Sequence, residues 1–168
     1  MLSLTFDTQC LRYLDPDHDS PYFVAELTEL VQLSERGCVD AARVGLIVER
    51  DLASAPNRAG WLEKIATLPM DDVPGVAVLG EWVLGRDVLG SDEASAVLDG
   101  DGLSTKIDRR DRLHLHAHRA HNRDIFVTND SAILKAADLL APAGISVMNP
   151  AMALSAVLDD LANATPGA

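Results

Sequence analysis

The sequence predicts an α/β fold built on a central, mostly parallel sheet of about five strands with helices on both faces. Three observations predict it. Short apolar runs such as LSLTF (2–6), DIFV (124–127) and ISVM (145–148) read as buried strands. Stretches of helical periodicity alternate with these runs along the chain, as a parallel sheet with crossover helices requires. Hydrophobic residues make up 48% of 168 residues and aromatics only 4%, so a proper core is available and Leu, Val, Ile and Ala must fill it.

Residues 2–6 form the first strand, which ends at Asp7. Asp15 to Pro21 (DPDHDSP) is turn-rich. A helix follows from Tyr22, with Phe23, Leu27, Leu30 and Val31 on one face and Gly37 as its stop. Cys38 to Val44 is the second strand, and Leu46 to Ala55 a helix that Pro56 interrupts. Asn57 caps a further helix through Trp61, Ile65 and Leu68. Pro69 to Gly75 reads as a loop, Val76 to Leu79 as a third strand, and Ser91 as the cap of a helix to Leu98. Gly100 to Thr105 is a polar loop, the most mobile segment expected in the middle of the chain. Asp108 caps a helix from Arg109 to about Asn122. Asp124 to Val127 is a strand, Ser131 to Leu140 a helix closed by Gly144, and Ile145 to Met148 the last strand. Pro150 opens a final helix to Leu161. No repeat or composition break divides the chain, so 1–161 is read as a single domain and 162–168 as a flexible C-terminal tail.

With 14 basic and 26 acidic residues the net charge is −12, which argues against a broad basic surface for gripping nucleic acid phosphates. It leaves open a nucleic acid partner met by bound metal and a local Arg cluster. Cys10 and Cys38 are too few for a disulfide framework and lack zinc-ligand spacing, so reduced thiols in a cytoplasmic protein are expected. The start of the chain has neither the charged nor the apolar region of a signal peptide. No run approaches the roughly 18 apolar residues of a membrane span, so no membrane association is expected.

In a parallel sheet every strand's carboxyl end reaches one edge, and ligands bind there. Asp7 follows the first strand directly. Asp130 lies just past Val127, and Asp111 begins the helix that feeds that strand. Glu49 and Asp51 lie in the first turns after the second strand. Each acid taken alone has a structural reading: Asp7 and Asp130 as helix caps, Asp111 as a carboxylate favouring the helix dipole, Glu49 and Asp51 as a solvated face. Together they form an acidic pocket, and closely packed carboxylates need a cation to stay ionised. Oxygen ligands without convergent Cys or His suit Mg²⁺ or Mn²⁺.

These residues resemble the PIN domain family, whose VapC-like members are ribonuclease toxins. The resemblance lies in an Asp after the first strand (TFDTQCL), an acid after the second (GLIVERDLA), a helix opening D-x-x-H-L (DRLHLHAH), a strand ending T-N-D (DIFVTND) and the closing GISVMNP. It implies a three-layer α/β/α sandwich and metal-dependent hydrolysis of RNA phosphodiesters with Mg²⁺ or Mn²⁺. It also implies a homodimer, with an antitoxin protein as partner if the chain is the toxin of a type II pair. Asp7, Asp111, Asp130 and Asp51 (or Glu49) are then the catalytic and metal-binding acids. Asp51, followed by Leu52, matches the family's acid-Leu pair. It projects about 200° from Glu49 on a helix, so only one of the two faces the pocket. Thr128, Asn129 and His114 fall where residues supporting substrate and metal would lie. The segment from Gly60 to Lys106 is longer than in the compact toxins and carries no motif of the family.

His114, His118 and His121 share a helical stripe with Asp111, while His116 lies on another side. An HxxxH pair can bind zinc, but no Glu follows the first His as in a metalloprotease helix. His114 is therefore placed at the pocket's edge, and the others in packing or facing a partner. Arg109, Arg110, Arg112, Arg119 and Arg123 are candidates to meet an RNA backbone, although they spread around the helix. Two alternatives remain at this stage. One is a non-catalytic PIN-like module whose acidic surface binds a basic protein. The other is a receiver-like or phosphatase domain, which lacks here the paired acids and late Lys that a receiver needs.

Overall fold

The apolar run at the start of the chain becomes β1 (Ser3–Phe6), the middle strand of a five-stranded sheet in which every pairing is parallel. The structure, a computed structural model, describes residues 1–15, 18, 21–77, 87–89, 103 and 105–164. From β1 the chain passes through α1 (Thr8–Tyr13), α2 (Val24–Glu35), β2 (Asp40–Arg43), α3 (Gly45–Asp51), α4 (Arg58–Ala66) and β3 (Asp71–Asp72). It continues through β4 (Gly75–Ala77), β5 (Asp87–Leu89), α5 (Arg109–Ala120), β6 (Ile125–Val127), α6 (Ser131–Lys135) and α7 (Ala137–Leu140). A 3₁₀ turn (Ala141–Ala143), β7 (Ser146–Met148) and α8 (Pro150–Ala164) complete it. The sheet order is β3-β2-β1-β6-β7.

Side chains alternate across a strand, so the two faces of this sheet carry different cores. Leu4 and Phe6 of β1, Ala41 of β2, and Ile125 and Val127 of β6 share one core with Leu27 and Leu30 of α2 and Ala153 and Val157 of α8. On the other face Phe126 and Val147 pack with Leu115 of α5, Ile133 of α6 and Leu140 of α7. Helices on both faces of a parallel sheet give the three-layer α/β/α arrangement. Burial on both sides explains why the strands read as apolar runs. Phe6 and Phe126 are both fully buried, each worth about 1.5–3 kcal/mol of transfer free energy.

Several elements follow the local signals closely. α2 stops at Gly37, whose φ of +67° is costly for a residue with a Cβ. There the Cys38 N–H donates to Leu33 O at 2.8 Å and the Gly37 N–H to Ser34 O at 2.9 Å, closing the helix end. Asn57 and Asp108 cap α4 and α5 through their side chains.

Other elements differ from expectation. Residues 8–13, unassigned in the sequence reading, form α1. The stretch read as a loop at 69–75 contains β3, a two-residue strand held by pairing to β2 and by Arg43 Nε donating to Asp72 Oδ1 at 2.7 Å. Its two aspartates carry no apolar pattern to read. The expected third strand does not join the main sheet: β4 pairs in parallel with β5 as a separate two-stranded sheet. The single helix expected over 131–140 is two, because the chain tightens at Ala136, whose N–H is shared between Ala132 O and Ile133 O. α5 ends before Asn122, which takes a left-handed φ of 49°. α8 runs to Ala164, past the expected end at Leu161 and into the stretch read as tail. The helix expected from Ser91 to Leu98 lies outside the described residues, as does most of the loop from Gly100 to Thr105. Among the described residues, no helix is long and apolar enough to cross a membrane.

Two of the stripe histidines serve the fold. His121 Nε2 lies 3.1 Å from Pro74 O. His118 Nδ1 lies 3.0 Å from Thr5 Oγ1, and its ring meets Phe126 edge-on at 5.6 Å between centroids. Burial first, and then the Arg123 guanidinium, push the His118 pKa down to about 4. The unfolded chain binds this proton near pH 6.5 and the folded chain does not, so stability falls as pH drops from about 6.5 to about 4. The loss reaches at most about 3 kcal/mol. Urea unfolding of His118→Gln at pH 7 and pH 4.5 should show a flatter dependence than the parent; an unchanged slope would contradict this assignment.

Candidate functional site

From the middle strand β1 the chain builds outward to β2 on one side and later to β6 and β7 on the other. The seam between β1 and β6 is therefore the topological switch point, where the connections diverge and open a crevice at the strands' carboxyl ends. Asp7 leaves β1 at this point and its N–H donates to Val127 O at 3.0 Å. Thr128 leaves β6 beside it. The Thr128 hydroxyl donates to Asp7 Oδ2 at 2.7 Å and accepts from the Asp130 N–H at 3.0 Å. Asp130 caps α6, its Oδ1 accepting from the Ala132 and Ile133 N–H groups at 2.6 and 3.1 Å.

Asp51 arrives from the last turn of α3, and Asp111 from the first turn of α5. Asp51 Oδ2 accepts from the Thr8 hydroxyl at 2.7 Å and lies 3.0 Å from His114 Nε2. The Asp111 N–H donates to Asp108 Oδ1 at 3.1 Å. Asp7, Asp51, Asp111 and Asp130, four acids from four parts of the chain, line one cavity of about 270 Å³ together with Asp108. Glu49 is not among its lining residues. Arg12 and Arg110 reach the same cavity from α1 and α5.

The electrostatics follow from the crowding. Burial raises the pKa of Asp7; the His114 charge and the Thr128 hydrogen bond oppose it without cancelling it. Burial, then repulsion from Asp108, Asp7 and Asp130, raises Asp111 to about 7. Burial also works against the charge on Asp51, but the hydrogen bond and charge of His114 win, and its pKa is lowered. Burial likewise opposes the charged form of His114, yet Asp51, Asp7 and Asp111 together raise its pKa. Asp51 and His114 thus favour each other's charged form, at a pocket in which Asp7 and Asp111 resist ionising. That is the condition a divalent cation relieves.

The donor set fits such an ion chemically. Carboxylates dominate the cavity. The hydrogen bonds described use one oxygen each of Asp51 and Asp130 and leave the other outside them. Among the described residues, no three His, Cys, Asp or Glu groups stand in a ready-made metal cage. Cys10 offers no thiolate, since burial first and Asp7 second push its pKa well up.

Some residues lie elsewhere than expected. His114 does not line the cavity; it is 1% exposed and sits beneath it, supporting Asp51. Thr128 is fully buried and faces Asp7. Asn129 is half-buried beside these acids and does not line the cavity either. Arg123 is not a surface cation: its guanidinium is buried and donates to Leu4 O and to Asp40, tying β1 to β2. Arg119 donates to Ala143 O. Thr8 and Arg12 were not singled out in the sequence. The signal for them was positional, because the first turns of a helix that follows a strand directly must border the sheet's carboxyl edge. The chain matches no protein-family model, and no curated protein matches it.

Proposed function

We propose that the chain is a metal-dependent endoribonuclease that hydrolyses RNA phosphodiester bonds, as its resemblance to the PIN domain family implies. The observation that carries this reading is the convergence of Asp7, Asp51, Asp111 and Asp130 on one cavity at the switch point of a parallel sheet. Mg²⁺ or Mn²⁺ bound there would polarise the scissile phosphate and lower the pKa of the attacking water. Asp7 and Asp111 would hold the ion directly, and Asp130 and Asp51 would hold it directly or through water.

The surrounding residues position these groups. Thr128 fixes the orientation of Asp7 and, through the Asp130 N–H, the start of α6. Thr8 and His114 hold Asp51. Arg12 and Arg110 supply positive charge at the cavity wall, where a phosphate would enter. A cytoplasmic toxin of a type II toxin–antitoxin pair, homodimeric and restrained by an antitoxin, is the cellular role this reading favours.

The direct test is incubation of single-stranded RNA with purified protein. Cleavage is expected with Mn²⁺ or Mg²⁺ and none with EDTA. Cleavage that persists in EDTA would contradict the reading, and so would intact RNA across a range of sequences and both metals.

A further inference from the structure

Arg12 lines the acidic cavity from α1, one helical turn after Thr8, and its side chain is exposed. The same cavity carries Asp7, Asp51, Asp108, Asp111 and Asp130. A guanidinium beside five carboxylates is expected to fork onto one of them. It does not: among the described residues the Arg12 guanidinium makes no ion pair and no hydrogen bond. It lies instead over the ring of Trp61, with its central carbon 5.6 Å from the ring centroid. Trp61 is itself held in place. It stands in the first turn of α4 and is half-buried against the core that contains Leu11 of α1 and Ile65 of α4. Lys64 lies 5.9 Å from the same ring and pairs with Asp15 at 2.8 Å, which ties α4 to the end of α1.

We propose that Trp61 is a positioning residue for the acidic site: its ring holds the Arg12 guanidinium off the carboxylates and so keeps them open to a divalent cation. The inference rests on the reading of this cavity as a metal site. An arginine seated on these acids would be a built-in competitor, because a guanidinium and a hard cation take the same carboxylate oxygens. An aromatic face attracts a guanidinium without occupying any carboxylate. At an exposed site that attraction shifts an equilibrium by about two- to fivefold. Held on the ring, Arg12 also keeps its N–H donors for a substrate phosphate.

The test is calorimetric titration of Mn²⁺ into the four proteins of a double-mutant cycle: the parent, Trp61→Leu, Arg12→Gln and the two combined. Melting curves first show which variants fold. Trp61→Leu should bind Mn²⁺ about two- to fivefold more weakly than the parent. Arg12→Gln should bind it at least as tightly as the parent, since a nearby positive charge is gone. In the Arg12→Gln background, Trp61→Leu should cost nothing, because no guanidinium remains to fall onto the acids. Trp61→Phe keeps an aromatic face of weaker attraction and should lie between the parent and Trp61→Leu. If Trp61→Leu does not fold, Trp61→Phe with and without Arg12→Gln carries the same test, and a loss that Arg12→Gln abolishes supports the inference.

A Trp61→Leu protein that binds Mn²⁺ as tightly as the parent overturns the inference and leaves the metal site standing. A loss of affinity that persists in the Arg12→Gln background overturns it as well, since the ring would then act through packing. A parent that takes up no Mn²⁺ overturns both. If the cycle behaves as expected and the parent cleaves no RNA in Mn²⁺, the positioning role holds and the ribonuclease reading fails.

Discussion

Asp111→Asn is expected to make the metal-free protein more stable at pH 7 while it abolishes metal-dependent cleavage. The two effects have one cause. Asp111 is held at a pKa of about 7 by burial and by the carboxylates of Asp108, Asp7 and Asp130, against 3.8 for the free side chain. The unfolded chain therefore gives up this proton near pH 4 and the folded chain only near pH 7. Across that window each step up in pH favours the unfolded state, so the group destabilises the metal-free fold most at neutral pH and above. Because Asp111 is only half-buried and solvent screens its neighbours, the gain on substitution is set at about 1–2 kcal/mol. Thermal melts in EDTA at pH 5 and pH 7.5 measure it, and the variant's advantage should grow with pH. In Mn²⁺ the variant's advantage should shrink or reverse, because the parent binds the ion more tightly than the variant does. A variant less stable than the parent in EDTA at pH 7.5 would show that Asp111 has a structural role.

His114→Leu has the opposite signature. His114 is buried and holds Asp51 at 3.0 Å. Its own pKa is raised and that of Asp51 lowered. The stabilisation due to the raised His is complete below pH 6.5 and fades as pH climbs through its folded value. That due to the lowered Asp is complete above about pH 4 and fades as pH falls through its folded value. The pair therefore stabilises most between about pH 4 and 6.5. Removing the ring leaves Asp51 with the Thr8 hydroxyl but without the imidazole, and the loss should be about 3 kcal/mol within that window and smaller at pH 8. Asp51 also loses the group that orients it, so metal affinity and cleavage should fall about 10–100-fold even where the variant remains folded. Equal loss of stability at pH 5.5 and pH 8 would show that the ring contributes packing alone.

The parts of this molecule legible in the sequence are those whose pattern is local. Leu4 and Phe6, Ile125 and Val127, and the capping residues Asn57 and Asp108 each announce their element within a few positions. The sheet's direction then brought Asp7, Asp111 and Asp130 to one edge by topology alone. What escaped was set by partners far along the chain. β3 is two aspartates made into a strand by β2 and Arg43. β4 has the look of a main-sheet strand, yet it pairs with β5. Arg123 reads as a surface cation on a polar helix end, and only the fold shows its guanidinium buried against Leu4 O and Asp40. His114 was legible as near the acids, but not as the group beneath Asp51, because that contact joins residues 63 positions apart.

The choice between Glu49 and Asp51 shows the same division. Helical geometry states that the two point apart, and only the packing of α3 against its neighbours decides which one meets the cavity. Asp51 does, in contact with Thr8 and His114.

The claim on which the rest depends is that these four acids hold a divalent cation. Calorimetric titration of Mn²⁺ into the parent protein, Asp7→Asn and Asp111→Asn tests it without reference to any substrate. Saturable binding is expected in the parent, with affinity at least about tenfold weaker in each variant although both remain folded. A parent that takes up no Mn²⁺, or variants that bind it as tightly as the parent, would contradict the account.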